Sequence, residues 1–253
     1  MKFIVLSSGS KGNTTYIEYN NLKILIDLGN SCKYVTDKLK GIGVNPKDIN
    51  GILITHTHSD HIKGLKVFLN KYKTKVYATK KIIEELNYVT NYEEIPLSSF
   101  SIQNMNIEVI KLSHDAPECV GYILHGENKK IVYITDTGYI NEKYFPILKN
   151  ANAYILESNH DIEMLSNGKY PFRLRQRILG DKGHISNYDC SRYLSTFIGN
   201  KTNTIVLAHL SEENNTEKLA YDTLKNKLKE NNQKIKKIVI AKQDEEIEMI
   251  EVW

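Results

Sequence analysis

"THTHSDHIKG" (residues 55–64) follows directly on the apolar run "GILI" (51–54). Four groups able to bind a metal, His56, His58, Asp60 and His61, fall within six residues of it. A buried strand that runs into such a loop carries its side chains to a sheet edge and holds them there. In an extended loop alternate side chains project the same way, so His56 and His58 can grip one ion while Asp60 and His61 turn to a second. A polar loop with solvated histidines would explain one of these residues. It does not explain four at H-x-H-x-D-H spacing.

Three further strand ends carry similar groups: His114 in "KLSHDA", Asp136 in "YITDTG" and His209 in "VLAHLS". Each follows an apolar run and precedes small or polar residues, and together the seven complete a set for two ions. Paired divalent metals lower the pKa of bound water toward about 7 and stabilise both oxygens of a displacement, so hydrolysis is the expected chemistry. Imidazole ligands suit zinc, manganese or iron, and ligand type alone does not choose among them.

Around these motifs the chain alternates strand and helix signals. Strands are expected at 2–6, 14–19, 22–29 and 51–54, where β-branched and aromatic residues are bounded by Gly, Ser and Asn. Helices are expected at 31–40, 61–71 and 80–87, with a strand at 75–78 between the last two. "FSIQ", "IEVIKLSH", "CVGYILHG" and "KKIVYITDTG" make the middle β-rich. The last third reads as "AYILES" (strand), helices at 172–179 and 187–198, "NTIVLAH" (strand), a helix at 215–230, then "KIVIA" and "EIEMIEVW" (strands). Two β-rich portions with helices outside them predict an α/β fold, a four-layer αββα sandwich of two mixed sheets, with the polar loops gathered at one edge.

The chain has 253 residues, 41% of them hydrophobic and 25% charged, which fits a single domain over 1–253. Cys32, Cys119 and Cys190 stand far apart with no C-x-x-C spacing, which argues for reduced packing residues and against a disulfide framework. "MKFIVLSSGS" is too short in apolar residues for a signal peptide, and no run approaches the roughly 18 residues of a membrane span. A cytoplasmic protein with no membrane partner is therefore expected. A net charge of +4 does not by itself imply a nucleic-acid partner. Of only four arginines, Arg173, Arg175 and Arg177 sit in "FRLRQRILG", just before "DKGHIS" (181–186). Arg173 and Arg177 would share a helical face, where a planar bidentate grip on phosphate or a salt-bridged surface would serve equally.

The ligand pattern resembles the metallo-β-lactamase superfamily along essentially the whole chain, and that family's fold is an αββα sandwich. The resemblance implies His56, His58 and His114 on one metal, Asp60, His61 and His209 on the other, and Asp136 bridging both. It also implies attack by a hydroxide shared between the ions and oriented by Asp60. A β-lactamase would need export. A glyoxalase-type thioesterase uses a similar ligand set and stands as the alternative, although its helical C-terminal segment is replaced here by strand and helix alternation.

"LSSGSKGNTTYI", "THTHSDHIKGL", "LSHDAPECVGY", "ITDTG", "LESNHD", "GDKGHISN" and "LAHLSEENN" follow the order seen in WalJ (YycJ)-type metallo-hydrolases. These are regarded as 5′-to-3′ double-stranded DNA exonucleases, and the resemblance implies DNA as the partner. About seventy residues separate Asp136 from His209, too few for a full β-CASP insertion.

Seven groups and a shared hydroxide leave no need for an eighth ligand at His184. The resemblance places His184 before the scissile phosphate, as a hydrogen-bond donor to it or a proton donor to the leaving 3′ oxygen, roles that suit an imidazole. It also places the loop of Ser8, Ser10 and Asn13 beside the metals, where these residues would meet a terminal phosphate. Asn159 and His160 would support the ligands or touch substrate; alternatively, Asn159 or Asp161 caps the next short helix. His125 reads as structural.

Overall fold

In the computed structural model, residues 1–252 are described, and Trp253, the end of the last expected strand, lies outside the described residues. Two seven-stranded sheets form the centre. The first contains β1 (Lys2–Ser7), β2 (Thr14–Tyr19), β3 (Leu22–Ile26), β4 (Gly51–Leu53), β5 (Lys75–Ala78) and β6 (Tyr92–Glu94) in that spatial order. The second contains β7 (Ser99–Ile102), β8 (Met105–Lys111), β9 (Val120–Gly126), β10 (Lys129–Ile134), β11 (Ala153–Glu157), β12 (Thr204–Ala208) and β13 (Lys237–Ile240), again in sequence order. A short final strand, β14 (Ile250–Glu251), returns to the first sheet beside β1.

Side-chain alternation in the second sheet shows how the layers stack. Ile107, Val109, Tyr122, Leu124, Ile131, Tyr133, Ile155 and Val206 join the core made with the first sheet. Their neighbours Ile110, Ile123, Val132, Ile134, Tyr154, Leu156, Ile205 and Leu207 join a second core. Successive residues of a strand face opposite sides, so this sheet is covered on both. The second core is closed by α5 (Phe145–Leu148), α8 (Asn187–Phe197) and α9 (Glu217–Glu230). On the far side of the first sheet lie α1 (Cys32–Gly41), α3 (Leu65–Tyr72) and α4 (Lys80–Glu85), which bury Val35, Leu39, Phe68 and Ile82. Each such side chain contributes about 1.5–3 kcal/mol by leaving water. The result is the expected αββα sandwich.

Several boundaries differ from expectation for local reasons. The expected helix at 61–71 is two helices, α2 (Ser59–Ile62) and α3, separated at Gly64, where a Cβ would lie 2.2 Å from the Asn30 carbonyl oxygen. The third strand stops at Ile26 rather than running to 29, because Asp27 turns to a φ of 60°. β6 was not expected: its three residues are all exposed and carry no alternation. Between β11 and α7 (Phe172–Leu179) lies the short helix α6 (Ile162–Asn167), and of the two expected caps Asp161 serves, accepting from the Met164 N–H at 2.9 Å. "EIEMIEVW" pairs only through Ile250 and Glu251. The three cysteines are free and buried, as composition predicts. Among the described residues no helix is long and apolar enough to cross a membrane.

Strand direction explains where the polar loops meet. β3, β4 and β5 are mutually parallel, as are β10, β11 and β12, while β8 and β10 each pair antiparallel with β9 and so share a direction. The C-terminal ends of β3 and β4 thus fall on one edge, as do those of β8, β10, β11 and β12. In open α/β sheets, ligands sit outside such ends.

Candidate metal centre

Asp27 follows β3, His56 follows β4, His114 follows β8, Asp136 follows β10, Glu157 ends β11 and His209 follows β12. Their side chains converge across the gap between the sheets. One potential ligand atom from each of His56, His58 and His114 lies within 4.8 Å of the others, and the same holds for Asp60, His61, Asp136 and His209. Asp136 lies between the two groups: its Oδ2 is 3.2 Å from His61 Nε2, and its Oδ1 is 3.4 Å from His209 Nε2 and 3.9 Å from His114 Nε2. Asp27, Asp136 and His209 all adopt left-handed backbone angles, with φ of 60°, 58° and 56°. Non-glycine residues rarely do so, and here the turn swings each side chain off its strand and into the cleft.

All seven expected ligands therefore meet. Two carboxylates that the motif pattern did not single out stand behind them. Asp27 is fully buried and accepts from the Thr55 N–H and Oγ1–H at 2.8 Å each and from His61 Nδ1–H at 2.7 Å. Glu157, also fully buried, accepts from His184 Nδ1–H at 2.6 Å, His209 Nδ1–H at 3.1 Å and the Thr137 N–H at 3.1 Å. Each pins an imidazole so that Nε2 faces the centre, the arrangement that orients metal ligands and raises their basicity. Both residues follow the strand-end rule that picked out His114, Asp136 and His209. Neither was singled out, because their roles depend on which imidazoles the packing of the two sheets sets opposite them.

The charge pattern fits divalent cations. Burial disfavours an ionised Asp136, but His209 and His61 outweigh it and hold the carboxyl well below its usual range. Burial likewise opposes ionised Glu157, yet His184 and His209 bring it down to about 2. Against burial, Asp136, Asp60 and Glu157 push His209 up to about 10, and Asp136 and Asp27 hold His61 well above normal. Burial raises Asp27 as well, so the Asp27–His61 pair holds its proton firmly. In the other group burial, reinforced by His61, keeps His56 well below its usual value, and burial, reinforced by His184, lowers His114. Protons on His61 and His209 thus occupy positions where a cation would neutralise the same carboxylates. His56 Nε2 and His209 Nε2 are buried with no hydrogen-bond partner among the described residues, as groups aimed at an ion would be.

His184 lies beside the ligands, its ring stacked on His209 at 5.3 Å and edge-on to His114 at 5.0 Å. Although it falls with Asp136, Glu157 and His209 in a third group of potential ligands, its Nδ1 is committed to Glu157. The preceding Gly183 accepts from His114 Nδ1 at 3.1 Å, and a Cβ there would strike the Ile178 carbonyl oxygen at 2.1 Å. Only glycine lets "DKGHIS" lie this close to α7 while backing a ligand.

The "SSGSKGN" loop is bound to the histidine loop through its backbone. The Asn13 N–H donates to Asp60 O at 2.7 Å, and Gly29 is so tightly enclosed that a Cβ would sit 1.6 Å from the same oxygen. The Asn13 side chain is buried and donates to Asp60 Oδ2 at 3.1 Å. Ser8 Oγ accepts from the His209 N–H at 2.8 Å, and the Asn159 amide donates to the His209 carbonyl at 3.0 Å. Ser8, Asn13 and Asn159 therefore hold ligand residues, while Ser10 is exposed. His160 is buried, and burial lowers its pKa to about 4. Arg177 donates to Asp115, whose Oδ1 is 3.4 Å from His114 Nε2, which is the salt-bridged alternative of the two expected uses, and Arg173 is exposed. His125 pairs with Glu108 at 2.7 Å across β8 and β9, away from the cluster.

A beta-lactamase superfamily domain model matches residues 23–209, from β3 to His209, and so spans both halves of the centre. The chain belongs to the beta-lactamase superfamily. Within that superfamily it is 40% identical over 236 residues to exodeoxyribonuclease WalJ of Streptococcus pneumoniae serotype 2, covering 90% of this chain and 88% of the relative. It is 41% identical over 229 residues to exodeoxyribonuclease YycJ of Bacillus anthracis, covering 87% and 86%. Membership of the WalJ/YycJ group follows from these two matches. The solved structure of the metallo-beta-lactamase fold protein YhfI from Bacillus subtilis superposes with a TM-score of 0.72 over 98% of this chain and 100% of that one; at 17% identity this likeness bears on the fold alone. In this superfamily member the His and Asp clusters supply a donor set that could hold metal ions.

Proposed function

We propose that the chain is a metal-dependent exodeoxyribonuclease acting from 5′ ends. The observation that carries this reading is the meeting of seven metal-binding side chains with a separate histidine, His184, held by Glu157 beside them. Likeness over most of both chains to two exodeoxyribonucleases supports DNA as the substrate. His56, His58 and His114 would hold one divalent ion, Asp60, His61 and His209 a second, and Asp136 would reach both. Zinc and manganese suit this mixed imidazole and carboxylate set. Bound there, the ions would supply Lewis acidity toward phosphoryl oxygens and an acidified water.

The chain's own groups do the rest. Asp60, held by Asn13, accepts a hydrogen bond from the attacking water and so orients it toward phosphorus. Burial works against a cationic His184, but the Glu157 carboxylate outweighs it and raises the imidazole pKa above its usual value, which favours the protonated form. With Nδ1 engaged, His184 Nε2 is the atom that meets a phosphoryl oxygen or hands a proton to the leaving 3′ oxygen. Residues 1–253 would work as one catalytic unit in the cytoplasm.

The test is nucleotide release from end-labelled single- and double-stranded DNA with Zn²⁺, Mn²⁺ or Mg²⁺, run beside His184→Ala. Wild-type protein should release nucleotides from 5′ ends. The variant should keep both ions and lose roughly 10²- to 10⁴-fold in turnover, the range for general acid–base groups. Hydrolysis of acyl-glutathione with no nucleotide release would overturn the reading.

A further inference from the structure

The loops that follow β8 and β10 enclose a cavity of about 170 Å³ beside the metal-ligand cluster. Lys111, Ser113, Tyr139, Asn141, Lys143 and Tyr144 line it. Ser113 immediately precedes His114, and Tyr139 is three residues beyond Asp136. The wall is tied to both strand ends: the Gly138 N–H donates to Ser113 O at 2.9 Å, and the Ser113 N–H donates to Thr137 Oγ1 at 3.2 Å. The Lys111 N–H donates to the Tyr144 hydroxyl at 3.1 Å, which fixes the turn at Glu142–Tyr144 as the outer side.

Its chemistry is cationic and aromatic. Lys111 and Lys143 are exposed, and among the described residues neither ammonium has a carboxylate partner; Lys143 Nζ lies 4.8 Å from the Tyr144 ring centre. The Tyr139 side chain is 41% exposed. On the other flank, beside His209, a cavity of about 350 Å³ is lined by Glu212, Glu217, Asp244 and Glu245, with Lys242 among them and Lys11 paired to Glu212. Lys242 pairs with Glu245 at 2.9 Å, which leaves that side negative. A polyanion is repelled there and drawn to the lysine side.

We propose that the Lys111–Tyr139–Lys143–Tyr144 cavity is a nucleotide subsite, taking the base and phosphate of the residue next to the one being cleaved. The inference rests on the nucleic-acid reading above and adds to it the path of the strand. At about 170 Å³ the cavity holds one planar base, with the exposed lysines at its rim to meet the phosphate, and not a longer segment. Exposed tyrosine offers a stacking face and the lysines offer point charges, the combination that binds single strands without reading sequence.

Binding of a fluorescent, phosphorothioate-linked oligodeoxynucleotide to the metal-loaded protein tests this, measured by anisotropy across a salt series. Lys111→Ala/Lys143→Ala should weaken affinity about tenfold and make the slope of log K against log salt shallower by roughly 1.4, two lost contacts at about 0.7 each. Tyr139→Ala should weaken affinity by about tenfold with the slope unchanged, since stacking releases no counterions. Lys225→Ala/Lys229→Ala on α9 makes the same charge change elsewhere and should alter neither quantity. Metal content and melting temperature confirm that each variant is folded. If wild type digests DNA while the cavity variants bind it unchanged, or if the α9 pair shows an equal loss, the subsite is wrong and the exonuclease reading stands. If wild type binds DNA but releases no nucleotide, that reading fails while the affinity comparison still decides the subsite. Failure of wild type to bind DNA overturns both.

Discussion

His56 and His114 are backed by neutral groups, the Thr55 hydroxyl at 3.1 Å and the Gly183 carbonyl at 3.1 Å, whereas His61 and His209 are backed by the buried carboxylates Asp27 and Glu157. The two halves of the centre therefore start from different charge states. In the imidazole half, His56 and His114 stay neutral because burial penalises their cations, and they stand ready as ligands. In the carboxylate half, an arriving ion must first displace protons from His61 and His209. Asp136 faces both halves, so removing it tests whether they form one centre. Asp136→Ala should lower nuclease turnover by on the order of 10³-fold or more, as expected when developing charge loses its main stabiliser. Elemental analysis should also show fewer than two ions per chain. Two retained ions with full turnover would mean that the halves work independently.

The next largest effect is on pH dependence. Proton release couples metal affinity to pH, and the sign follows from the raised imidazole pKa values. Below a pKa of about 10 the metal-free His209 is protonated, and the His61 pKa is likewise held well above its usual value. Between about pH 6 and pH 8, two displaced protons would weaken the carboxylate half by up to about 100-fold per unit of falling pH. The imidazole half should change little over the same window. Chelator competition with a chromophoric dye, followed at several pH values, should resolve one steep and one shallow affinity. Parallel slopes would show that the charge difference between the halves does not control metal binding.

Glu157→Gln sharpens the comparison from behind the ligands. It keeps the shape but loses the carboxylate that holds His209 and His184. Loss of such an outer partner typically costs about 10- to 100-fold in metal affinity or activity, and the pH–rate profile should shift to lower pH as His184 loses its stabilising charge. Thr55→Val, which removes the hydroxyl behind His56, disturbs Asp27 as well through its 2.8 Å hydrogen bond, so Asp27→Asn is the cleaner companion. A Glu157→Gln profile identical to wild type would remove Glu157 from the catalytic unit.

Much of this arrangement was legible in the chain. H-x-H-x-D-H spacing brought out His56, His58, Asp60 and His61 because four metal-binding groups in six residues have no ordinary structural explanation. His114, Asp136 and His209 followed from one rule, a polar group at the end of an apolar strand. Asp27 and Glu157 obey the same rule, but their roles depend on which imidazoles lie opposite, and that is set by packing between the sheets. Asn13 shows the same gap: its loop was expected at the metals, yet burial against Asp60 turns its amide to a ligand rather than outward. Helix breaks at Gly64 and the three-residue β6 escaped because neither carries a hydrophobic period.

The smallest expected effect lies at the rim of the imidazole half. For Arg177 a grip on phosphate and a salt-bridged surface were equally expected; its guanidinium is turned onto Asp115, and its side chain remains 55% exposed. Burial would raise the Asp115 pKa, yet the arginine outweighs it and lowers it. The pair thus keeps an ionised carboxylate 3.8 Å from His58 Nε2 and 3.4 Å from His114 Nε2. An exposed ion pair contributes at most about 1 kcal/mol, so Arg177→Ala should lower DNA turnover less than about fivefold, with metal content unchanged. Two deviations would be informative. A tenfold rise in KM at constant kcat would mean that the arginine leaves Asp115 to hold phosphate. Loss of one ion would mean that Asp115, once freed, competes for His58 or His114 and that the pair guards the imidazole half against its own neighbour.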